Sequence, residues 1–304
     1  MKHDIPFSVA PFHQTNWDWR AAGNFIGGGS GTGLLLFAAL APSAAYRIEV
    51  LAALVFIAAG LTCVWIEIGK PLRAINVFRH PQTSWMTREG LVALPLFASG
   101  LAALVFGGWS AAAWVSAALA MVFVGCQARI LLASKGIPAW REPRLGALIL
   151  ATSLAEGCGW AVLLAAVSGE PAPARLAGLL IGLMGLRAWA WRSYLGGLRA
   201  RGAPAKALAV LERAERSFLL AGNALPAFLA AAGLVLGSTV LAAVAGLLAA
   251  AAGGWIKYVI VARAAFNQGF ALPMLPVRGV GVPGPAVRPG WSGGTAGGGN
   301  SRND

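Results

Sequence analysis

The sequence predicts an all-α integral membrane protein with eight transmembrane helices, and composition, apolar segments and charge placement all support this. Of the 304 residues, 58% are hydrophobic and only 12% are charged, whereas about a quarter of the residues in a soluble domain are charged. The formal net charge of +13 would suggest nucleic acid in a soluble chain. Here the basic residues lie in short loops between apolar segments, so topology explains them better. We therefore expect membrane lipids as neighbours and no nucleic acid.

Eight apolar segments are each close to the roughly 20 residues that cross a bilayer core. Two four-helix bundles are expected, at 21–133 and 134–271, after a cytoplasmic segment at 1–20. A tail at 272–304, rich in Pro and Gly, is expected to be extended. The predicted spans are 21–41, 48–69, 89–107, 110–133, 145–167, 174–194, 218–236 and 239–266.

The first span begins with a glycine-rich run, G-N-F-I-G-G-G-S-G-T-G at residues 23–33. A dinucleotide fingerprint would require a strand before the glycines, but the run continues directly into an apolar helix. Small residues that let neighbouring membrane helices approach closely explain the run better. They would also leave room for a flat ligand.

Basic residues fall on alternate connections between the spans. The connections that follow spans two, four and six are basic, whereas the others contain only Arg47 and Arg175. By the positive-inside rule, both termini and the loop at 70–89 face the cytoplasm. The sequence therefore predicts a multi-pass protein of the cytoplasmic (inner) membrane of the cell.

The most polar passage in the first half of the chain is residues 67–91, E-I-G-K-P-L-R-A-I-N-V-F-R-H-P-Q-T-S-W-M-T-R-E-G-L. Glu67 is expected on the last turn of the second helix and Glu89 on the first turn of the third. Both carboxylates would then lie at one depth near the cytoplasmic face. The loop between them is positively charged and is expected to dock a partner through Lys70, Arg73, Arg79 and His80.

Cysteine and histidine positions limit the cofactors that this chain can bind. Cys63, Cys126 and Cys158 lie singly inside apolar segments, with no C-x-x-C spacing, so no iron–sulfur or other metal site is expected. All three histidines are outside the spans, at positions 3, 13 and 80. Paired axial ligands for a haem are therefore not expected.

Two passages resemble a known family. The run E-I-G-K-P-L-R-A-I-N at 67–76, followed by T-S-W-M-T-R-E at 83–89, resembles the membrane anchor subunits of the DMSO reductase, polysulfide reductase and NrfD-like (NrfD/DmsC) group. The runs W-D-W-R-A-A-G-N-F-I-G-G-G at 17–29 and K-Y-V-I-V-A-R-A-A-F-N-Q-G-F-A-L-P at 257–273 are most similar to the anchor of phenylacetyl-CoA:acceptor oxidoreductase and its relatives. One departure is that some members have His where this chain has Glu67.

The resemblance implies a subunit without catalytic activity of its own. It implies electron exchange between a membrane quinone, ubiquinone or menaquinone, and the terminal [4Fe-4S] cluster of a four-cluster iron–sulfur subunit. That partner would join a molybdopterin catalytic subunit carrying Mo- or W-bis-MGD. Quinone reduction coupled to oxidation of a cytosolic substrate such as phenylacetyl-CoA is the expected direction.

Quinone reduction requires two protons, and ionisable residues at membrane depth are candidates for supplying them. We expect the quinone-binding and proton-transfer residues to be Glu89, Glu67, Asn24, Arg88 and Trp85. The alternative for Glu89 is a purely structural role, in which the amide groups of the helix N-terminus or Arg88 satisfy its charge. For Glu67, the alternative is an ion pair with Lys70 or Arg73.

Glu156 is expected near the middle of the fifth span. It would either carry a proton inward or form a buried ion pair with Arg187.

Two other functions stay open at the level of sequence. A purely structural membrane anchor would keep the basic docking loop but would not require Glu67 and Glu89 at membrane depth. A small-molecule transporter would show inverted repeats with broken helices, and the sequence has only a weak division into two halves.

Overall fold

The protein is all-helical in the part that the computed structural model describes, which is residues 11–67, 76, 78–169 and 174–269. Lys70, Arg73 and the predicted tail at 272–304 lie outside these ranges. The α-helices of the described ranges are α1 (Trp19–Leu40), α2 (Tyr46–Glu67), α3 (Trp85–Phe106), α4 (Ala111–Ala133), α5 (Pro138–Arg141), α6 (Leu145–Val167), α7 (Ala174–Ala200), α8 (Ala205–Leu219), α9 (Leu225–Leu236) and α10 (Thr239–Tyr258). The π-helical turns Leu220–Ala224 and Val259–Arg263 follow α8 and α10, respectively.

Within the described residues, six helical segments are long and apolar enough to cross a membrane, so the chain has the architecture of an α-helical membrane protein. Helices α1 and α7, with 22 and 27 residues, are also long enough to cross a bilayer core. Their glycine and arginine residues lower the mean hydropathy of both helices. The six segments are Tyr46–Glu67, Trp85–Phe106, Ala111–Ala133, Leu145–Val167, Ala205–Leu236 and Thr239–Arg263.

The predicted start of the third span, at residue 89, is wrong for a local reason. Helix α3 begins at Trp85, where the Ser84 side chain caps it by accepting from the backbone N–H of Thr87. Glu89 therefore lies in the second turn of α3 and not in the first. Glu67 is the last residue of α2, as expected.

The basic stretch at 199–216, predicted as a connection, is mostly helical. Helix α7 continues to Ala200, and α8 begins at Ala205. Helix α8 buries Ala207, Leu211, Ala214 and Phe218. Their spacing of three and four residues places them on one face, so the basic residues lie on the other face of an amphipathic helix.

Helix α1 is central and packs against α2, α4, α6 and α10. Its glycines permit this, because a Cβ at Gly27 or Gly31 would collide with backbone atoms of α2. On its other side, a Cβ at Gly33 would collide with the backbone of α6. The prediction that the glycine run lets helices approach closely is confirmed.

The buried hydrophobic residues form two clusters at different heights along the helices. One contains the N-terminal end of α1, the C-terminal ends of α4 and α7, and the π-turn after α10. The other contains the opposite ends of α1, α4 and α7, together with parts of α2 and α3. Between them lies a polar layer with Ser30, Ser153, Glu156, Arg187 and Lys257, all buried.

The backbone contact between α1 and α6 predicts that Gly157→Ala destabilises the protein. A Cβ at this position would collide with the backbone of Gly33 and Leu34. Overpacking of this kind costs about 1–3 kcal/mol. Gly178→Ala is the matched control, because its Cβ would meet nothing within 4 Å. Thermal unfolding of both variants in detergent, followed by circular dichroism, measures the difference. Equal stability of the two would contradict the packing argument.

Candidate functional site

An apolar cleft of about 430 Å³ lies between α2 and α3. These two helices contact each other little, although they are neighbours in the chain. Trp65 and Leu94 at its edge are 50% and 62% exposed, so the cleft opens on the outer surface of the helix bundle. We call it the membrane cleft, and its lining consists of Leu61, Val64, Trp65, Phe78, Met86, Glu89, Gly90, Ala93, Leu94 and Phe97.

A second cavity of about 220 Å³ lies beside the membrane cleft. Val64 and Met86 line both cavities, so these two side chains separate them. A methionine side chain is flexible, and a rotamer change at Met86 would widen the connection. We call this second cavity the inner pocket, and it is lined by Trp17, Ala21, Asn24, Phe25, Val64, Glu67, Met86 and Ile130.

Glu89 lines the membrane cleft and is hydrogen-bonded to Asn24, which lines the inner pocket. Its side chain is buried, and its Oε1 accepts a hydrogen bond of 3.0 Å from Asn24 Nδ2. The Gln127 side chain also contacts the Glu89 carboxyl group and donates through Nε2 to the backbone oxygen of Asn24 at 2.9 Å. Three helices, α1, α3 and α4, therefore position one carboxyl group. Because Gly28 has no side chain, α1 leaves space for the Gln127 amide.

Two buried acceptors at this site have no hydrogen-bond donor in the described part of the chain, namely Asn24 Oδ1 and Gln127 Oε1. A buried carbonyl oxygen without a donor carries a desolvation cost of about 1–3 kcal/mol. A ligand hydroxyl group that reached these atoms would remove that cost. The site therefore offers both a donor, Asn24 Nδ2, and acceptors near one carboxyl group.

Glu67 lines the inner pocket together with Asn24 and is half-buried. Asp18 and Arg20 are charged neighbours of its carboxyl group. Arg20 also forms an ion pair with Asp18 at 2.9 Å, and its hydrogen bonds hold the pKa of Asp18 below the usual value. Lys70 and Arg73, the partners of Glu67 in the alternative ion-pair interpretation, lie outside the described residues.

Arg88 and Trp85 lie beside the site and not at its centre. Arg88 donates to the backbone oxygens of Pro81 and Gln82, both at 2.8 Å. Its guanidinium group also stacks over the Trp85 ring at 4.1 Å. These described contacts brace the start of α3, and the expectation that the two residues contact the ligand stays a prediction.

The docking residues that the structure describes are Arg79 and His80, and both are exposed. The backbone oxygen of His80 accepts from the N–H groups of Thr83 and Ser84 and so forms the turn before α3. This turn lies at the end of the bundle that contains Glu67 and Glu89, and the exposed side chains of Arg79 and His80 are accessible there.

Glu156 pairs with Lys257 and not with Arg187, which corrects the predicted ion pair. Lys257 Nζ lies 2.8 Å from Glu156 Oε2, and both side chains are fully buried. Ser30 Oγ donates to the same carboxylate oxygen at 3.0 Å, and Lys257 Nζ donates to Ser153 Oγ at 3.1 Å. The carboxylate is thus neutralised from α10 and hydrogen-bonded from α1.

Arg187 is held by the π-helical turn Leu220–Ala224. Its Nε donates to Asn223 Oδ1 at 2.8 Å and its Nη1 to the backbone oxygen of Ala249 at 2.7 Å. Its Nη2 donates to the backbone oxygen of Gly222. A π-turn releases backbone carbonyl groups from the regular helical pattern, and here Arg187 binds one of them.

Sequence reasoning did not identify Gln127 as a partner of Asn24 and Glu89, nor Ser30, Ser153 and Lys257 as members of the polar contacts around Glu156. The sequence did contain one indication of a polar cluster here. Ser153 and Glu156 are three residues apart, so their polar side chains share a face of α6. Gly253 likewise lies one turn before Lys257, and a Cβ there would collide with Glu156. Which buried cation meets Glu156 depends on helix packing, which the sequence does not display.

Among the described residues, no group of three or more His, Cys, Asp or Glu side chains could hold a metal ion. No protein family model matches the chain, and no curated protein matches it significantly.

The contacts of Arg187 predict that Arg187→Lys destabilises the protein by about 2–4 kcal/mol. A lysine ammonium group cannot reproduce the fork of donors that reaches Asn223, Gly222 and Ala249. Arg192→Lys is the matched control, because this exposed arginine lies on the same helix. Unfolding in detergent measures stability, and faster amide hydrogen exchange in the π-turn would locate the effect. Equal stability of the two variants would refute the assigned role.

Proposed function

We propose that this chain is the quinone-reactive membrane anchor subunit of an oxidoreductase complex. It exchanges electrons between the iron–sulfur cluster of a partner subunit and a membrane quinone. The observation that carries this proposal is the buried carboxyl group of Glu89. It is held by Asn24 at the wall of an apolar cleft between two candidate membrane helices.

The lining residues fit a quinone in polarity. The isoprenoid tail of a quinone is apolar and would suit the membrane cleft, which opens between α2 and α3. The ring has two oxygen atoms that require hydrogen-bonding partners. Asn24 Nδ2 and the protonated Glu89 carboxyl group can donate to an oxidised ring. Asn24 Oδ1, which has no donor among the described residues, can accept from the hydroxyl group of a reduced ring.

The residues of this chain would then have distinct tasks. When bound, the quinone accepts or releases two electrons together with two protons. The Glu89 carboxyl group holds a proton next to the ring oxygen and transfers it as a general acid or base. Asn24 orients both that carboxyl group and the ring, while Phe97 and the other apolar lining residues exclude water. Glu67 is placed near the bundle end to exchange a proton with the aqueous side.

The transmembrane arrangement that suits this function has eight spans in two four-helix bundles. It adds α1 and α7 to the six apolar segments, since a helix of 22 or 27 residues is about 33–40 Å long. Both termini and the loop at 70–89 would face the cytoplasm by the positive-inside rule. Arg79 and Arg88 lie at that end, as do Lys135, Arg141, Arg201 and Arg213.

The proposed partners are an iron–sulfur subunit and a molybdopterin catalytic subunit, as in the NrfD-like anchors that the sequence resembles. An acidic surface on the iron–sulfur subunit would complement Arg79, His80 and the basic residues of the loop before them. A cytoplasmic docking surface suits a cytosolic substrate such as a CoA thioester, phenylacetyl-CoA being the candidate that the resemblance suggests.

Glu89→Gln is expected to slow quinone turnover of the assembled complex by at least about tenfold, because positioned proton transfer contributes about 10²- to 10⁴-fold. Activity with a soluble dye as electron acceptor should be unchanged, since the dye takes electrons before they reach the membrane. Both rates are measured on membranes that contain the complex. Glu67→Gln, at the less buried position, should show a smaller loss. Full quinone activity in the Glu89→Gln protein would exclude the assigned site and favour a purely structural anchor.

The proposed orientation predicts that a cysteine at Thr83 is labelled only from the cytoplasmic face. Thr83 is exposed in the turn before α3, whereas Trp109, 76% exposed, lies in the turn after α3. A membrane-impermeant maleimide should therefore modify Thr83→Cys in inside-out vesicles and Trp109→Cys in right-side-out vesicles. The half-buried Cys63 is first replaced by Ser. The opposite pattern would invert the topology.

A further inference from the structure

A charge set of Lys257, Glu156 and Arg187 lies inside the bundle, and all three side chains are fully buried. Two cations and one carboxylate leave the charge set with one net positive charge. Buried charges are expensive in an apolar environment, and a net charge is more expensive than a balanced pair. Packing alone does not account for this excess charge.

Glycine residues next to the charge set leave space for its side chains. A Cβ at Gly29 would collide with Lys257 Nζ, and a Cβ at Gly253 would collide with Glu156 Oε1. Two helices therefore have glycine at the points where the ion pair lies against them. The ends of the Lys257 and Glu156 side chains occupy the space that a Cβ at Gly29 or Gly253 would fill.

The charge set is close to the candidate quinone site along α1. Gly28 faces the Gln127 side chain and Gly29 faces Lys257 Nζ, so these two polar groups lie against adjacent residues of one helix. Gln127 in turn binds Asn24 and contacts Glu89. Asn24 and Gly29 are five residues apart, which corresponds to about 8 Å along the axis of α1.

We infer that the net positive charge of the charge set tunes the candidate quinone site to favour a negatively charged occupant. The inference rests on the proposed function and adds the chemical class of ligand that the site prefers, an anionic, electron-rich quinone ring. Lys257 and Glu156 are positioning residues in this role, because they act through space and do not touch the ligand.

The expected size of the effect follows from Coulomb's law. A unit charge at roughly 10 Å, with an effective dielectric constant of about 20, changes the affinity for an anion on the order of tenfold. A neutral ligand of the same shape should be affected little. The ratio of the two affinities therefore isolates the electrostatic effect from changes in packing.

The experiment compares two probes on the purified full-length chain in detergent with its lipids. One probe is a hydroxynaphthoquinone, which is acidic enough to be an anion at neutral pH, and the other is the neutral naphthoquinone with the same ring. Quenching of tryptophan fluorescence gives both dissociation constants. The measured quantity is the affinity for the anion divided by the affinity for the neutral probe.

The variants change the charge set in opposite directions. Lys257→Met removes the net charge and should lower the affinity ratio by about tenfold, whereas Glu156→Gln adds one positive charge and should raise it by a similar factor. The double variant Lys257→Met/Glu156→Gln keeps one net charge through Arg187 and should return the ratio close to its original value. Ser153→Ala removes a hydrogen bond without changing charge and should leave the ratio unaltered.

The outcomes separate this inference from the proposed function. Unchanged ratios, or ratios that move in the same direction in both single variants, would overturn the inference while leaving a quinone site in place. Failure of the unaltered chain to bind either probe would overturn the proposed function and the inference together. If Lys257→Met does not fold because Glu156 is left unpaired, Glu156→Gln and the double variant still decide the question.

Discussion

The close packing of α1 against four neighbouring helices is the constraint on which the rest of the structure depends. Membrane helices gain little from the hydrophobic effect between them, so association requires close contact and hydrogen bonds between helices. The glycine face of α1 supplies the close contact with α2 and α6. It also leaves space for Gln127 and Lys257, and these groups provide the hydrogen bonds in the middle of the bundle.

The glycines of α1 therefore permit both close helix packing and burial of polar side chains. Glycine at position 33 brings two backbones into contact, while glycine at 28 and 29 admits the ends of two polar side chains. The polar layer that results separates two hydrophobic clusters. Burial of its charges is costly, and the cost is offset by the ion pair of Lys257 with Glu156 and by the donors around Arg187.

The candidate site lies at a loosely packed pair of helices. Helices α2 and α3 contact each other little, and the membrane cleft lies between them, next to the carboxyl group that α1 and α4 hold through Asn24 and Gln127. Closely packed helices thus position the polar groups, and a loosely packed pair of helices leaves an opening on the outer surface of the bundle. The quinone of the proposed function, which partitions into lipid, would enter by this route.

The sequence by itself determined that the chain is helical and membrane-embedded, because apolar segment length and the scarcity of charge depend only on local composition. It also identified Glu89, Asn24 and Glu67 as polar residues near one end of the bundle. Only the tertiary structure decided which groups meet: Lys257 and not Arg187 pairs with Glu156, and Arg88 braces α3 beside the site. These pairings depend on the rotation and height of each helix relative to its neighbours, and long-range packing alone sets those quantities.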